Sequence, residues 1–362
     1  MTKQDAVLAV VLAVRLLVPL GIPRFPLPSI LAALVMDAAD QTIFQAVGAG
    51  SDIAGYQSYD KALDVYYLTI AYASVLRNWL DPVALSVGRF LFYWRLTGVV
   101  AFELTGARAL LIVFPNTFEY FFIFYESVRL FWDPRRLSRL QVLGAAAAIW
   151  VVIKLPQEYW IHIAQLDLTD LLSEHAWLLP TLIAALALLA AVAVRLSRRL
   201  PPADRRPSFD ADAHAVRPRG AAVLPRTDVR AILSMAVLEK VVLISMVAII
   251  FSQVLPGVDA TEREIAAAVA FVVVANSVVS LWRVRRGTRW ASTLIQFVSM
   301  LALNVTLIVV ESMLTPGDSE AFNPAGTLFY LFLISLIITM YDRYRTIGNA
   351  ARREPVSPVP AS

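Results

Sequence analysis

The chain has 362 residues, of which 58% are hydrophobic and 17% are charged, and its mean hydropathy is +0.65. Soluble domains average about 45–50% apolar and about 25% charged residues, so one water-soluble core could not bury this many apolar side chains. These values exclude an ordinary cytosolic enzyme, a disordered chain and a nucleic-acid-binding module. The sequence contains no cysteine, which excludes disulfides, thiolate catalysis and cysteine-ligated metal centres.

The apolar residues fall in blocks of about 20, the length that a helix needs to cross a bilayer. We therefore predict an all-α, polytopic integral membrane protein with about 11 transmembrane helices. The predicted spans are 5–22, 29–48, 62–79, 84–103, 108–132, 139–155, 176–195, 230–254, 264–282, 290–312 and 326–342. Two of them, 29–48 and 84–103, carry charges, and the sequence leaves open whether they cross fully or are re-entrant.

Arginine-rich and acidic connections alternate along the chain. Twenty of the 32 basic residues lie in four alternate connections, near 135–139, 195–230, 283–289 and 343–353. The positive-inside rule places these connections in the cytoplasm, with the N-terminus outside and the C-terminus inside. The abundance of Arg and Ala is typical of a GC-rich bacterial genome, so we expect a multi-pass protein of the bacterial plasma (inner) membrane.

Proline and charge content predict four parts. Residues 1–195 form a seven-span N-terminal membrane domain with intramembrane charges, and 196–229, rich in proline and charge, form a flexible cytoplasmic linker. Residues 230–345 form a four-span C-terminal membrane domain, and 346–362 form a disordered cytoplasmic tail.

Four aspartates lie in or next to two neighbouring spans. Asp37 and Asp40 are three residues apart and share a helix face, as do Asp60 and Asp64, which are one turn apart. If the short connection makes the helices antiparallel neighbours, the four carboxylates converge on a cation- or proton-binding site. Their oxygens also suit a divalent cation. Alternatively, Arg15 has the same predicted depth as Asp37 and neutralises it in a structural ion pair.

The order of these acids, Asp37-x2-Asp40 followed by Asp60-x3-Asp64, resembles the four-aspartate motif of the CDP-alcohol phosphotransferases. The resemblance covers residues 37–64 only, and Gln41 stands where the family motif has glycine. It implies that the aspartates hold a divalent metal and activate an alcohol against a CDP-lipid.

A second charged pair is predicted near mid-membrane. Arg95 in span 84–103 and Glu119 in span 108–132 have similar depths, and Pro115 can kink the helix beside the acid. A buried pair of this kind is usually architectural. If it lines a cavity, Arg95 is a clamp for an anion or phosphate group.

Other polar residues within or near the spans have simpler interpretations. Glu158 and His162 could form part of a metal site, but the surrounding aromatic and acidic residues favour an interfacial helix. In the last four spans, Glu239, Lys240 and Asn304 are expected to form contacts between helices. The sequence has no Walker A loop, nucleophile elbow, HEXXH or dinucleotide-binding glycine motif.

Three functions remain open. The first is a cation- or proton-coupled transporter or channel-like protein that uses Asp37, Asp40, Asp60 and Asp64. The second is a membrane-embedded, metal-dependent enzyme acting on a lipid or polyprenyl phosphate, and the third is a non-catalytic scaffold. The expected partners are the lipid bilayer and an ion or lipid substrate, with no nucleic acid, and the oligomeric state is left open.

Overall fold

The computed structural model describes residues 3–46, 56–164, 175, 177–198, 200–213, 235–254, 273–274, 293–314 and 324–353. These residues are helical apart from their connections, and no β-strand occurs among them, which confirms the all-α prediction. The helices are α1 (Lys3–Leu17), α2 (Pro26–Ala46), α3 (Tyr56–Asn78), α4 (Pro82–Thr105), α5 (Ala109–Val113), α6 (Thr117–Phe131), α7 (Arg139–Ala148), α8 (Leu155–Glu158), α9 (Leu178–Ser197), α10 (Met235–Val254), α11 (Thr293–Leu314) and α12 (Pro324–Arg353).

Local sequence signals determine where several helices begin and end. Asp81 caps α4 by accepting a hydrogen bond from the Val83 N–H at 2.9 Å, and Gly106 ends the helix with a φ of 68°. Ser138 and Gln141 form a reciprocal capping box at the start of α7. The charged segments 29–48 and 84–103 correspond to α2 and α4, each a single uninterrupted helix.

The predicted span 108–132 is two helices. α5 ends before Pro115, which cannot donate a backbone hydrogen bond, and α6 starts two residues later. The break leaves the Phe114 carbonyl free to accept a hydrogen bond from Arg95 at 3.2 Å.

The predicted span 139–155 is longer than expected. A π-helical segment (Ile149–Lys154), α8 and a second π-helical segment (Tyr159–Ala164) continue α7 without interruption. Pro156 lies in this stretch and has no backbone N–H to donate, and the wider π-helical turns on either side accommodate it. Residues 156–164, assigned from sequence to an outer connection, are therefore helical. Most of the predicted span 264–282 lies outside the described residues.

α3 lies at the centre of the bundle and packs against α2, α4, α10 and α12. Ala71, Tyr72 and Val75 on this helix are completely buried. Gly348 on α12 lies so close to α3 that a Cβ atom would be 1.9 Å from the Leu76 carbonyl oxygen. One continuous apolar core joins residues from α2 to α12.

Ion pairs also link α10 to the helices on either side of it. Glu239 pairs with Arg345 of α12 at 2.6 Å and with Arg89 of α4 at 3.3 Å. Lys240 pairs with Asp342 at 3.0 Å. The expectation of contacts between helices is confirmed for both residues, and Asn304 likewise donates to Ser335 at 2.8 Å.

Part of the predicted linker is docked on the bundle. The Asp204 N–H donates to the Phe131 carbonyl at 2.9 Å, and the Ala211 N–H donates to the Arg24 carbonyl at 2.7 Å. The Trp132 indole donates to the Pro201 carbonyl at 3.0 Å. Residues 200–213 are thus held by ordered contacts, whereas 214–229 lie outside the described residues.

The predicted disordered tail begins too early. α12 continues to Arg353, because Arg352 donates to the Trp79 carbonyl at 2.8 Å and to the Leu76 carbonyl at 3.3 Å at the end of α3. Residues 354–362 lie outside the described part of the chain.

Two helical stretches within the described residues are long and apolar enough to cross a membrane. They are Pro82–Thr105 and Arg139–Glu158. The match is one of length and apolar composition.

Candidate functional site

Arg15 on α1 is the centre of a buried ionic cluster. Its guanidinium contacts the carboxylates of Asp37 and Asp40 on α2, and its NH2 group lies 3.1 Å from Asp64 Oδ1 on α3. Arg15 is only 5% exposed and Asp40 only 2%. The structure thus brings together three of the four predicted aspartates with the arginine.

The helix geometry explains this convergence. The three-residue spacing of Asp37 and Asp40 places both on the face of α2 that meets α1. A short turn joins α1 and α2, so the two helices are antiparallel neighbours, and α3 packs against both. The side chain of Asp60 lies outside the described residues.

The cluster carries more negative than positive charge. Three carboxylates share one guanidinium, which gives these four side chains a formal charge of −2 when all are ionised. Arg15 stays protonated at any relevant pH. Arg15 and Asp40 are buried, whereas the Asp37 and Asp64 side chains are 30% and 26% exposed. Uptake of a proton or another cation would lower the electrostatic cost of this charge.

Tyr67 lies between this cluster and a second one. Its hydroxyl donates to Glu119 Oε2 on α6 and also lies in the electrostatic field of Asp64 and Asp37. Asn116 donates its side-chain amide to the same Glu119 oxygen at 2.8 Å. The Glu119 carboxylate is therefore held by two donors.

Lys154, which the sequence analysis did not single out, is the cation that faces Glu119. Its Nζ lies 3.9 Å from Glu119 Oε1 and 4.0 Å from the centre of the Tyr120 ring. The π-helical segment that ends at Lys154 turns this side chain into the bundle. The sequence feature that could have identified Lys154 is its position as a single lysine within an apolar run.

Arg95 does not take the expected position. Its NH1 group donates to the Phe114 carbonyl, and Lys154 replaces it as the partner of Glu119. The reason is the break before Pro115, which exposes a carbonyl within reach of Arg95. The Arg95 Nε is buried without a hydrogen-bond partner among the described residues.

Glu158 is a buried residue in the helical stretch that the sequence predicted as an interfacial helix. Its Oε1 accepts a hydrogen bond from the Asn116 backbone N–H at 3.1 Å, next to the start of α6. Glu158 thereby accepts a hydrogen bond from a backbone N–H that, because of the break in the helix, has no helical partner. The side chain of His162 lies outside the described residues.

The donor set around Arg15 does not fit a divalent metal. The guanidinium occupies the point at which the three carboxylates converge, so a metal there would face a fixed positive charge. Among the described residues, no group of three or more His, Cys, Asp or Glu side chains is arranged to hold a metal ion.

A third buried ionic group lies at the opposite end of α3 and was not identified from sequence. Trp79 donates its indole N–H to Glu126 Oε1 at 2.7 Å, and Arg129 contacts both oxygens of Glu126 at 2.9 Å. The three-residue spacing of Glu126 and Arg129 was a detectable signal. This group closes the end of the bundle at which α3 and α6 terminate.

No model of a protein family matches the chain, and no curated protein or solved structure matches it. The likeness to the CDP-alcohol phosphotransferases therefore rests on the spacing of acids in 37–64 alone.

Proposed function

We propose that the chain is a multi-pass protein of the bacterial inner membrane whose buried acidic network takes up and releases protons as part of cation- or proton-coupled transport. The observation that carries this proposal is the sharing of one guanidinium, that of Arg15, by three carboxylates.

The distribution of polar and apolar side chains supports insertion in a membrane. Charged residues lie inside the bundle, while large apolar side chains face outward, among them Leu140 at 80% and Val152 at 71% exposed. Water would disfavour such a surface, whereas lipid would favour it. The two membrane-length helices belong to the same bundle.

The position of the arginine-rich connections supports the proposed orientation. The turn at Arg24, the end of α3 at Arg77 and the 200–213 segment meet at one end of the bundle. There, Arg77 pairs with Asp212 and Arg24 with Asp210. Arg352 at the end of α12 contacts the same region. We infer that this end faces the cytoplasm.

Charge balance favours protons as the bound species. In an apolar medium, ionised carboxylates without matching cations are costly, and a proton removes that cost without needing room for a hydrated ion. The guanidinium blocks a central metal position, whereas a proton can still be added to a carboxylate oxygen. Arg15 would then keep the remaining carboxylate ionised.

The contacts of Tyr67 support movement of a proton between the two clusters. A phenol can both donate and accept a hydrogen bond, and this one connects Glu119 to the field of Asp64. The route proposed for the proton therefore runs from the aspartates on α2 and α3 to Glu119, with Lys154 stabilising its ionised form.

Proton flux into proteoliposomes tests the proposal. Vesicles that contain a pH-sensitive dye are given a potassium diffusion potential, and the rate of internal acidification is compared with that of protein-free vesicles. We expect the wild type to exceed protein-free vesicles, and Asp64→Asn to reduce the protein-dependent rate at least fivefold. Asp210→Asn, which removes an exposed acid at the other end of α3, is the matched control.

Infrared difference spectroscopy gives a readout that does not depend on a transported substrate. If the cluster holds a proton, the band of protonated carboxylic acid should be present at neutral pH and weaker in Asp64→Asn. An unchanged band and unchanged flux would contradict the proposal. Phospholipid turnover by the same vesicles would instead favour the enzyme. If Asp64→Asn changes neither proton flux nor phospholipid turnover, the scaffold is favoured.

A further inference from the structure

A cavity of about 90 Å³ opens at the arginine-rich end of the bundle, between the ends of α3 and α6 and the 200–213 segment. A water molecule needs about 10–15 Å³ by this measure, so the space holds several waters or one tetrahedral oxyanion. Its polar lining consists of Asn78, Asp81, Tyr125, Arg129, Asp133, Arg135 and Arg205.

Two of the three arginines have carboxylate partners. Arg135 binds Asp133 through both Nε and NH2, at 3.0 and 2.6 Å. Arg129 uses NH1 to contact Glu126, which leaves its NH2 and Nε groups without a partner among the described residues. The two acids in the lining are also engaged, since Asp81 caps α4 and Asp133 binds Arg135.

Arg205 has no such partner. Its NH2 group donates to the Trp132 carbonyl at 3.1 Å, and no carboxylate of the described residues lies in ion-pair contact with it. Burial lowers the pKa of its guanidinium, Asp133 opposes that shift, and the like charge of Arg129 adds to it. Arg205 is therefore a half-buried cation held close to other cations, an arrangement that an anion would stabilise.

Tyr125 is a second group without a partner. Its side chain is 1% exposed, and its hydroxyl makes no hydrogen bond to the described residues, although it lines the cavity. Because Tyr125 lines the cavity, a ligand or water there can hydrogen-bond to its hydroxyl.

We propose that this cavity binds a phosphate group, with Arg205 and Arg129 as the charged ligands and the Tyr125 hydroxyl as a further donor. Guanidinium groups bind phosphate oxygens through paired N–H donors, which a lone cavity water would not require. The phosphate belongs either to an anionic phospholipid of the inner leaflet or to a soluble phosphate compound.

The site is separate from the acidic network. Asp64 and Asn78 are fourteen residues apart on α3, which corresponds to about 21 Å along the helix axis. Binding of phosphate can therefore be tested without reference to proton flux, and each proposal can fail alone.

Native mass spectrometry of the full chain in detergent tests the site, with phosphatidic acid and phosphatidylcholine as lipid probes. We expect the wild type to retain phosphatidic acid in preference to phosphatidylcholine, and Arg205→Gln to lower that retention at least fivefold. Arg136→Gln is the matched control. It neutralises a neighbouring arginine that pairs with Asp204 and does not line the cavity, so retention should stay within twofold.

Titration with inorganic phosphate distinguishes the two sources. A soluble ligand is indicated if phosphate binds the wild type, does not bind Arg205→Gln, and displaces the lipid. A lipid headgroup is indicated if phosphate does not displace the retained lipid. Tyr125→Phe removes only the hydroxyl and should weaken binding about two- to threefold, which covers the case in which Arg205→Gln does not fold. If neither probe binds the wild type better than both variants, the proposal is wrong.

Discussion

Tyr67 of α3 donates its hydroxyl hydrogen to Glu119 of α6 and lies between two ionic clusters, within electrostatic range of Asp64 and Asp37. On one side are Arg15 and its three aspartates, and on the other is Lys154. Both residues of the contact are nearly fully buried, so water does not compete for it. The proton route that we propose between the clusters passes through this hydroxyl group.

Tyr67→Phe should remove the hydrogen bond to Glu119 and interrupt the proposed proton route, while the fold is kept. Glu119 loses one donor but keeps the Asn116 amide, so we expect a loss of about 1–3 kcal/mol in the free energy of unfolding. Proton flux in proteoliposomes should fall about tenfold. Tyr66→Phe is the control, because the Tyr66 hydroxyl donates to the Leu16 carbonyl and not to a carboxylate, so its flux should be unchanged. Equal fluxes in the two variants would show that Tyr67 takes no part.

Arg15→Gln should destabilise the protein strongly, since the buried Asp40 and the partly buried Asp37 and Asp64 lose their shared cation. The expected cost is about 3–5 kcal/mol in thermal or denaturant unfolding. Adding Asp40→Asn should recover part of this loss, because it removes one of the carboxylates left without a partner. Arg24→Gln, at an exposed pair with Asp210, should cost less than about 1 kcal/mol. A double variant no more stable than Arg15→Gln would contradict the ionic account.

Gly348→Ala tests the close packing of α12 on α3. The new Cβ would lie 1.9 Å from the Leu76 carbonyl oxygen, so the helices must separate. We expect a cost of about 1–3 kcal/mol in the free energy of unfolding. Gly144→Ala is the matched change in α7, where the added methyl meets nothing within 4 Å, and it should be neutral or stabilising by about 0.5–1 kcal/mol. Similar results for both glycines would contradict this packing.

Glu239→Gln should weaken the attachment of α10 to α4 and α12. Two guanidinium groups, those of Arg89 and Arg345, lose their carboxylate, at an expected cost of about 3 kcal/mol. The measurement is whether the two parts of the chain still co-purify after cleavage at a protease site inserted near residue 220. Met235→Ala, at an outward-facing position of the same helix, should not affect co-purification.

Asp133→Asn should make stability less dependent on pH. Hydrogen bonds from Arg135 hold the pKa of the Asp133 carboxyl below its usual range, although partial burial opposes this. The stabilisation is present at neutral pH and is lost as the pH falls through the lowered pKa, below the ordinary value of about 3.9. Since the pair is partly exposed, we expect a difference of at most about 1 kcal/mol at pH 7. In thermal unfolding at a series of pH values, the difference from wild type should shrink as the pH falls below about 3.9 and through the lowered pKa. A difference that does not change with pH would contradict this account.

The sequence predicted much of what is local. The apolar blocks correspond closely to helices wherever the structure describes them, and the three-residue spacing correctly placed Asp37 and Asp40 on one helix face. The caps at Ser138 and Asp81 are likewise local, because capping depends on only a few neighbouring residues.

Partners between helices were harder to predict. Glu119 was expected to face Arg95, but the break before Pro115 gave Arg95 a carbonyl and left Glu119 to Lys154. The rotation of a helix and the exact position of a break decide such partners, and a shift of one residue turns a side chain by about 100°.

The sequence by itself therefore determined that the chain is helical and too apolar for an ordinary soluble fold. It also showed that a few charged residues lie within the apolar segments. Those conclusions follow from composition and from periodicity within single helices. Only the tertiary structure decided that Arg15 binds three aspartates, that Tyr67 donates to Glu119, and that Arg205 lies beside a cavity without a carboxylate in ion-pair contact. These arrangements depend on how separate helices pack, which no local pattern encodes.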